Sequence, residues 1–471
     1  MNSFANAVVN QEARTQNGMK ARNSTANPCV DLFYKIGASR GKNIIPEFVA
    51  AYAANKEVAL RIAQWARDVR GGAGERQIYR DILQYLEAND PHAAVSLALK
   101  TPEIGRFDDL FAFVGELKDV GFEIVRQAIE SGNQLAAKWT PRKGTVANQF
   151  RDYLGWSPKF YRKTLVNLTN VVEQKMCSNN WDIIDFSKVP SLAAARYKAA
   201  FYRHTQKYTE YVAKLVKGDD PTVKVNASAV YPYDVIKGLV NQYGANRMSE
   251  TERNLVIKQW EAMPNFMGNA KVLPMVDVSG SMYCHAGKSQ GTTCVEVAVS
   301  LGIYCADKNT GVFKDLILTF SDSPQLMHLH GNVVQKLQQL VEADWGMSTN
   351  LHAAFTKVLE VARKNNVPAE EMPETMVIFS DMQFNSCTRF DDSAHQMIAR
   401  KYEEYGYTLP KIVFWNLNSY DNVPVESTTS GVALVSGFSP SVMKAVLSGD
   451  LEEFTPEAIM MQTVMVDRYA I

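Results

Sequence analysis

The 471-residue chain lacks the features that mark membrane and secreted proteins. It contains no run of about 20 apolar residues, which is the length that a transmembrane helix needs. Its first residues, MNSFANAVVNQEARTQNG, include no apolar stretch of the kind found in signal peptides. We therefore expect a cytoplasmic protein without a membrane partner.

Cysteine is scarce, and its spacing excludes a disulfide-rich scaffold. Cys284, His285 and Cys294 are close in sequence, but no second pair completes the ligand set of a zinc site. His328 and His330 also lack a third ligand, so we expect structural roles for both groups. The chain has no C-x-x-C pair, and we expect all its cysteines to be reduced and buried, namely Cys29, Cys177, Cys284, Cys294, Cys305 and Cys387.

The chain has no net charge, because its 50 basic side chains are balanced by 50 acidic ones. The balance is uneven along the sequence. Residues 1–270 contain 36 Lys and Arg against 27 Asp and Glu, a net charge of +9, and residues 271–471 contain 14 against 23, a net charge of −9. A basic half of this kind favours binding to a polyanion, with mutual attraction of the two halves as the alternative.

The length of the chain indicates two domains, because a single core rarely exceeds about 250 to 300 residues. In residues 1–270, apolar residues recur at three- and four-residue spacing, which predicts an all-α domain of stacked helical pairs. In residues 271–471, short β-rich segments alternate with helical ones, which predicts a doubly wound α/β domain. The predicted helices of the first domain are 48–69, 77–86, 122–137, 158–176, 191–217 and 233–243, and the predicted strands of the second are 272–278, 316–320, 376–379, 412–417 and 432–436.

Oxygen-bearing side chains follow the predicted strands at the edge where such sheets bind ligands. Asp277, Ser279 and Ser281 occupy alternate residues after the first strand, Thr349 lies in a Gly-rich turn, and Asp381 follows a later strand. Hard oxygen ligands with few charges suit Mg²⁺ or Mn²⁺, with one position open to a carboxylate or phosphate from outside. The alternative is that these residues only cap helices at the strand ends.

The D-x-S-x-S motif, the threonine in its turn and the later aspartate resemble the metal-ion-dependent adhesion site of von Willebrand factor A domains. The resemblance covers roughly residues 272–460. It implies a Rossmann-like domain in which Asp277, Ser279 and Ser281 contact the metal or its waters. It also implies that Thr349 engages when a partner binds and that Asp381 acts through water.

A basic segment with interleaved aromatic residues spans residues 136–217, where 15 Lys and Arg stand against 5 Asp and Glu. Basic side chains neutralise phosphates and aromatic rings stack on unpaired bases, so this composition is typical of single-stranded nucleic acid binding. Arg196, Arg203 and Lys207 recur near helical spacing and predict one basic stripe. The alternative is a solvated helix face whose aromatic residues belong to the core.

A glycine-rich loop, Arg70-Gly-Gly-Ala-Gly-Glu-Arg76, precedes a predicted helix. Exposed backbone N–H groups at a helix start attract anions, which favours phosphate binding by this loop. The loop has no Walker Gly-Lys-Ser/Thr sequence. An ordinary glycine C-cap followed by a new helix is the alternative.

Eight short segments, 31–33, 70–76, 105–110, 161–163, 171–173, 188–191, 196–197 and 231–233, carry a resemblance that spans almost the whole chain. They resemble the uncharacterised proteins that join a TROVE-like helical domain to a von Willebrand A domain and are related to the Ro autoantigen proteins. The resemblance implies a ring or horseshoe of HEAT-like repeats that binds structured or misfolded RNA ends, or small noncoding RNA. The expected RNA-binding residues are Arg70, Arg76, Arg106, Lys138, Arg142, Lys143, Lys159, Arg162, Lys163, Arg196, Lys198, Arg203 and Lys207.

Two functions fit the sequence. The first is a non-catalytic RNA-binding protein with a divalent metal site in its second domain. The second is a scaffold whose metal captures a carboxylate of a partner protein, without RNA. We do not expect an enzyme, because no set of base, nucleophile and stabilising group can be assembled from the sequence.

Overall fold

A computed structural model describes most of the chain. The described residues are 13–169, 171–218, 220–227, 230–237, 249–286, 291–320, 323–343, 345, 348–386, 391–447 and 453–471. No helix within these ranges is long and apolar enough to cross a membrane.

Helices dominate the described residues up to 261. Capping side chains mark where several of these helices begin. For example, the Asn27 side chain accepts hydrogen bonds from the first turn of the helix that begins at Pro28. The helices are α1 (Pro28–Ile36), α2 (Ile45–Ala54), α3 (Lys56–Arg67), α4 (Arg76–Asn89), α5 (Pro91–Ile104), α6 (Lys118–Glu130), α7 (Gln134–Trp139), α8 (Thr145–Tyr153), α9 (Pro158–Leu168), α10 (Val172–Cys177), α11 (Ser191–His204), α12 (Gln206–Lys217), α13 (Pro232–Ile236) and α14 (Glu250–Glu261).

A six-stranded sheet follows the helical region, in the spatial order β5-β4-β3-β6-β7-β8. Neighbouring strands are parallel except β4 and β5, which are antiparallel. The elements are β3 (Val272–Asp277), α15 (Cys294–Lys308), β4 (Leu316–Phe320), β5 (Gln325–His328), α16 (Val333–Val341), α17 (Leu351–Lys364), β6 (Thr375–Ser380), α18 (Ala394–Tyr405), β7 (Lys411–Asn416), β8 (Val432–Ser436), α19 (Met443–Val446) and α20 (Pro456–Val464).

The predicted fold class, a helical region followed by an α/β domain, is confirmed. The strands β3, β6 and β8 are buried along their whole length, as expected for parallel strands covered by helices. Helix α15 lies directly on β3, since a Cβ on Gly302 would meet Val276 Cγ2 at 2.3 Å. This contact holds the first strand, and with it Asp277 at its end, in a rigid layer.

The N-terminal residues pack against the α/β part of the chain. A short hairpin of β1 (Ala13–Arg14) and β2 (Lys20–Ala21) is followed by backbone hydrogen bonds in both directions between Arg22 and Val423. Helix α1 contacts β8, where Ser436 Oγ donates to Phe33 O at 3.0 Å. Residues near the start of the sequence therefore pack against the sheet and the loops that follow its strands.

Packing divides the chain into two compact units. One comprises residues 1–62 and 230–470 and contains the sheet; the other comprises residues 63–229 and is helical. We call them the sheet unit and the helical unit. The division predicted at residue 270 follows the change from helix to strand in the sequence, whereas these units follow the tertiary contacts.

Several predicted helices are each two helices in the structure. The segment 48–69 contains parts of α2 and α3, and 191–217 contains α11 and α12. Segment 158–176 divides into α9 and α10, and 122–137 into α6 and α7. The predicted helix 233–243 begins within α13, but its residues from 238 onward lie outside the described ranges.

Candidate functional site

The carboxyl ends of two adjacent strands form the candidate metal site. Asp277 is the last residue of β3, and Asp381 directly follows β6. These strands are parallel neighbours, with Val276 paired to Phe379, so their ends meet at one edge of the sheet. Both carboxylates are buried, at 0% and 1% exposure.

The turn after β3 brings Ser279 back to the carboxylate of Asp277. Ser279 N donates to Asp277 Oδ1 at 2.9 Å, and the hydroxyl oxygens of Ser279 and Ser281 lie 3.2 Å apart. Ser380 Oγ donates to Asp277 Oδ2 at 2.5 Å. Ser380 was not among the residues expected at this site, although its position immediately before Asp381 is a signal that could have identified it.

Burial and mutual repulsion disfavour the ionised forms of the two carboxylates at this edge. Loss of hydration raises the pKa of Asp277, and the nearby carboxylate of Asp381 raises it further. Burial likewise raises the pKa of Asp381, against hydrogen bonds that favour its ionised form, one of them from Ser281. A cation between the two carboxylates would relieve both effects.

One oxygen of the site has no partner among the described residues. Asp381 Oδ2 is buried and forms no hydrogen bond with any of them, although buried polar atoms are normally paired. Two carboxylates and two hydroxyls, with one carboxylate oxygen unpaired, fit a hard divalent cation that retains some of its water. Asp277, Ser279, Ser281 and Asp381 are the residues that would hold it.

Thr349 lies close to the loop that follows Asp381. Asn385 N donates to Thr349 O at 3.1 Å, and Thr349 is buried at 1% exposure. Asn350 next to it caps helix α17 by accepting a hydrogen bond from Ala353 N at 2.9 Å. The three predicted segments of the metal site thus surround one end of the sheet.

The described residues contain no group of three or more His, Cys, Asp or Glu side chains that could hold a metal ion. The rings of His328 and His330 contact each other, with centroids 4.5 Å apart.

The N-terminal part of the chain supplies a cation near this site. Lys42 Nζ donates to Asn418 Oδ1 at 2.7 Å and to Ser419 O, just after β7. Burial lowers the pKa of Lys42, while the carboxylates of Asp421 and Asp381 act in the opposite direction. This neighbour could not be recognised from the sequence, because residue 42 is separated from the strand ends by more than two hundred positions.

The basic residues predicted to bind RNA form two groups in the helical unit. Some have local partners: Arg106 pairs with Asp108 and lies 3.4 Å from the Trp139 ring centre, and Arg142 donates to Thr169 Oγ1 at 3.0 Å. Lys138 lies 4.0 Å from Glu173, Lys207 donates to Asp182 O, and Lys198 is half-buried. The others are exposed and form no ion pair with another described residue: Arg70, Arg76, Lys143, Lys159, Arg162, Lys163, Arg196 and Arg203.

Most of the aromatic residues of the segment 136–217 belong to the core. Phe201 and Tyr208 are 0% and 1% exposed and pack with Phe186, at ring centre distances of 5.1 and 4.9 Å. Tyr161 is also buried, whereas Phe160 is 54% exposed. Base stacking is therefore open only to the few exposed rings. The buried rings belong to the core, as the alternative interpretation of this segment predicts.

The glycine-rich loop ends α3, and several of its backbone N–H groups are used for that purpose. The N–H groups of Gly72, Ala73 and Glu75 donate to carbonyls of α3 and the residue after it, at 3.1, 3.1 and 2.7 Å. A Cβ on Gly72 would lie 1.8 Å from Trp65 O, so only glycine fits there. The expectation that these N–H groups bind phosphate is wrong, because they are already used to end α3.

The motif Gly105-Arg106-Phe-Asp108-Asp109 is the centre of a buried ion-pair network. Asp109, which is 0% exposed, accepts hydrogen bonds from Arg67 Nε at 2.7 Å and Arg80 Nε at 2.8 Å. It also accepts one from Arg106 N at 2.9 Å. These residues join three separate segments of the helical unit.

Comparisons with known family models divide the chain near residue 270. A model described as domain of unknown function DUF2828 matches residues 15–106 and 134–270, and one described as domain of unknown function DUF7788 matches residues 271–468. The uncharacterised protein L728 of Acanthamoeba polyphaga mimivirus is 30% identical, over 96% of this chain and 86% of that protein. The chain belongs to the same family as this viral protein.

A solved structure matches over the same length with little sequence similarity. The crystal structure of Deinococcus radiodurans RO (RSR) protein covers 93% of this chain and 93% of its own, at 12% identity and a TM-score of 0.38. A score this low supports no conclusion about fold or function.

Proposed function

We propose that this protein binds RNA without catalysing a reaction on it, through the exposed basic residues of its helical unit. The RNA would be a single-stranded end or a small noncoding RNA, as the resemblance to TROVE-like proteins suggests. The sheet unit, which resembles a von Willebrand A domain, would hold one Mg²⁺ or Mn²⁺ at Asp277, Ser279, Ser281, Thr349 and Asp381.

One observation carries the RNA proposal, namely a basic face on helix α9. Lys159, Arg162 and Lys163 are exposed, lie three and four residues apart, and form no ion pair with another described residue. Other basic residues of the same unit do have acidic partners, as Arg126 has in Glu123. Charges left unpaired on one face favour a polyanion from outside the chain.

The α9 basic face also offers an aromatic surface. Phe160 is 54% exposed and its ring lies 4.9 Å from that of Trp156. A base of single-stranded RNA would stack on this ring while neighbouring phosphates contact the cations. Arg196 and Arg203, exposed on α11 seven residues apart, would extend the phosphate contacts.

The experiment is fluorescence anisotropy of a labelled single-stranded RNA with full-length protein. The variant combines Lys159→Gln, Arg162→Gln and Lys163→Gln. We expect its affinity to fall by about tenfold or more near 0.1 M salt, alike for different sequences, because phosphate contacts carry no sequence information.

A matched control removes three cations of the same unit that already have acidic partners, through Lys100→Gln, Arg126→Gln and Lys188→Gln. The net charge changes equally in both variants. If the control weakens RNA binding as much as the α9 variant, only total charge matters. If neither does, the RNA proposal fails.

The second candidate is a metal-dependent scaffold, which the unpaired oxygen Asp381 Oδ2 favours. Here the bound metal would take its last ligand from a carboxylate of a partner protein. The scaffold predicts partner binding that is lost with EDTA or Thr349→Ala and is unaffected by the α9 variant. Loss with the α9 variant alone would support RNA.

A further inference from the structure

Two cysteines beside the candidate metal site face each other. Cys284 Sγ and Cys294 Sγ are 3.5 Å apart, and Cys294 N donates to Cys284 O at 3.0 Å. His285 and Thr293, the next residues inward, form an antiparallel bridge. The backbone thus holds the two side chains opposite each other, as in cross-strand pairs.

This geometry is close to that of a disulfide. A disulfide bond is about 2.05 Å long, so the sulfur atoms need to approach by only about 1.5 Å. Rotation of the Cys284 side chain, which is half-buried, would provide much of this movement. The zinc role considered for these cysteines lacks further ligands among the described residues.

The two thiols differ in access to solvent. Cys284 is half-buried, whereas Cys294 is buried at 0% exposure and contacts Leu417 O at 3.6 Å. An oxidant from solvent therefore reaches Cys284 first. Cys294 is placed to react only with the oxidised sulfur of Cys284.

We propose that Cys284 and Cys294 form a reversible dithiol–disulfide couple that is oxidised by peroxide. The Cys284 thiolate attacks one peroxide oxygen, so that an S–O bond forms, the O–O bond breaks, and hydroxide leaves. Cys294 then attacks the sulfenic sulfur, so that the S–S bond forms, the S–O bond breaks, and the second oxygen leaves as water. Two thiols lose two electrons and hydrogen peroxide is reduced to two waters, after which a dithiol reductant restores the thiols.

The couple would act on the turn that carries the candidate metal ligands. Cys284 N donates to Ser281 O at 3.2 Å, and Met282 N donates to Ser279 O at 3.1 Å. Leu417, which Cys294 contacts, donates its N–H to Ser380 O at 3.0 Å. Oxidation would therefore restrain both sides of the site. This second effect rests on the proposed metal site, whereas formation of the disulfide does not.

The test treats full-length protein with an equimolar concentration of hydrogen peroxide. The protein is then alkylated and its peptides are mapped by mass spectrometry without reduction. We expect a Cys284–Cys294 linked peptide as the main product, and its loss after treatment with dithiothreitol. Cys29 and Cys305, which are buried, should remain thiols and serve as internal controls.

The Cys284→Ser variant gives the sharpest comparison. Cys294 should then resist peroxide, with its rate of loss reduced at least tenfold, while the exposed Cys177 reacts as before. Undiminished loss of Cys294 in this variant, or linked peptides that mainly join Cys177 or Cys387, would overturn the couple. Residue 387 lies outside the described ranges.

The effect on metal is read by Mn²⁺ titration of the reduced and oxidised protein. A change in affinity of fivefold or more, absent in Cys294→Ser, supports control of the site by oxidation. If the reduced and the disulfide-bonded protein bind Mn²⁺ with equal affinity, regulation of the metal site by oxidation is overturned, but formation of the disulfide is not. Absence of Mn²⁺ binding in both forms would refute the metal site and leave the peptide mapping as the test of the couple.

Discussion

At the scale of single residues, the candidate metal site depends on two buried carboxylates, Asp277 and Asp381. Charged side chains are rarely buried unless they are paired or bind a metal. Motif spacing identified both from the sequence, because alternate oxygen-bearing residues after a strand are uncommon. The approach of Lys42 depends on tertiary contacts and was not predictable from that spacing.

The first prediction concerns Asp277. Asp277→Ala should abolish Mn²⁺ binding, since it removes one of the two carboxylates of the site. The protein should remain folded, because the change also removes one of two buried like charges. Isothermal titration with Mn²⁺ measures the first effect and circular dichroism the second, with the isosteric Asp277→Asn as a second variant.

The control for this prediction is Asp391→Ala, which removes an exposed carboxylate of the same unit that pairs with Arg14 at 2.7 Å. It should bind Mn²⁺ as the unmodified protein does. Equal Mn²⁺ affinity in the Asp277 variants and the control would refute the site assignment.

The second prediction concerns Asp109. Asp109→Asn removes the charge that compensates Arg67, whose side chain is only 3% exposed. Leaving one member of a buried ion pair unpaired costs about 3 to 5 kcal/mol of unfolding free energy. Asp152→Asn, at an exposed ion pair, should cost about 0 to 1 kcal/mol. Urea denaturation of both variants checks this, and equal midpoints would contradict the structural role of Asp109.

At the scale of elements, the sequence predicted strands more accurately than helices. The strands 316–320 and 432–436 have the expected bounds. Predicted helices in the N-terminal half were too long, because their apolar spacing continues across real breaks. Asn55 ends α2 in extended conformation and its side chain accepts from Val58 N at 3.1 Å, and Thr205 caps α12 in the same way.

These breaks have a physical signal in the sequence, since Asn and Thr are favoured N-cap residues. Spacing alone does not reveal whether such a residue caps a helix or lies on its exposed face. The strand β5 is different, because it is short and antiparallel and pairs only with β4. Its formation depends on that neighbour more than on its own four residues.

The third prediction concerns the loop that ends α3. Gly72→Ala would place a methyl group 1.8 Å from Trp65 O and should cost about 3 kcal/mol or more of unfolding free energy. Gly155→Ala is the control: Gly155 has a φ of +65° and open space around it, so about 1 to 2 kcal/mol is expected from the backbone alone. Equal thermal stability of the two variants would show that the loop is not packed as described.

At the scale of the whole molecule, the distribution of charge depends on where the chain is divided. Residues 63–229, the helical unit, contain 24 Lys and Arg against 19 Asp and Glu, a net charge of +5. Segment 136–217 alone has a net charge of +10, from 15 against 5. The positive charge is therefore concentrated in residues 136–217, which include α9, α11 and α12. The compact units differ less in net charge than the two halves of the sequence, which carry +9 and −9.

The fourth prediction concerns coupling between metal and RNA. If RNA completes the metal coordination, EDTA should weaken RNA binding by about 5- to 150-fold at fixed ionic strength, and Thr349→Ala should have the same effect. If the metal faces an external protein, RNA affinity should be the same with and without Mg²⁺. Adding monovalent salt to the metal-free sample, until its ionic strength equals that of the Mg²⁺ sample, separates this coupling from general screening of the RNA charges.

The measurement that tests the central claim most directly is the salt dependence of RNA binding by the unmodified protein and by the α9 variant. For single strands, log K should fall with log salt at a slope near −0.7 for each phosphate neutralised. Removing Lys159, Arg162 and Lys163 should flatten that slope by about 2, while the paired-cation control keeps it. An α9 variant with unchanged affinity and unchanged slope would contradict the claim that this helix binds the RNA backbone.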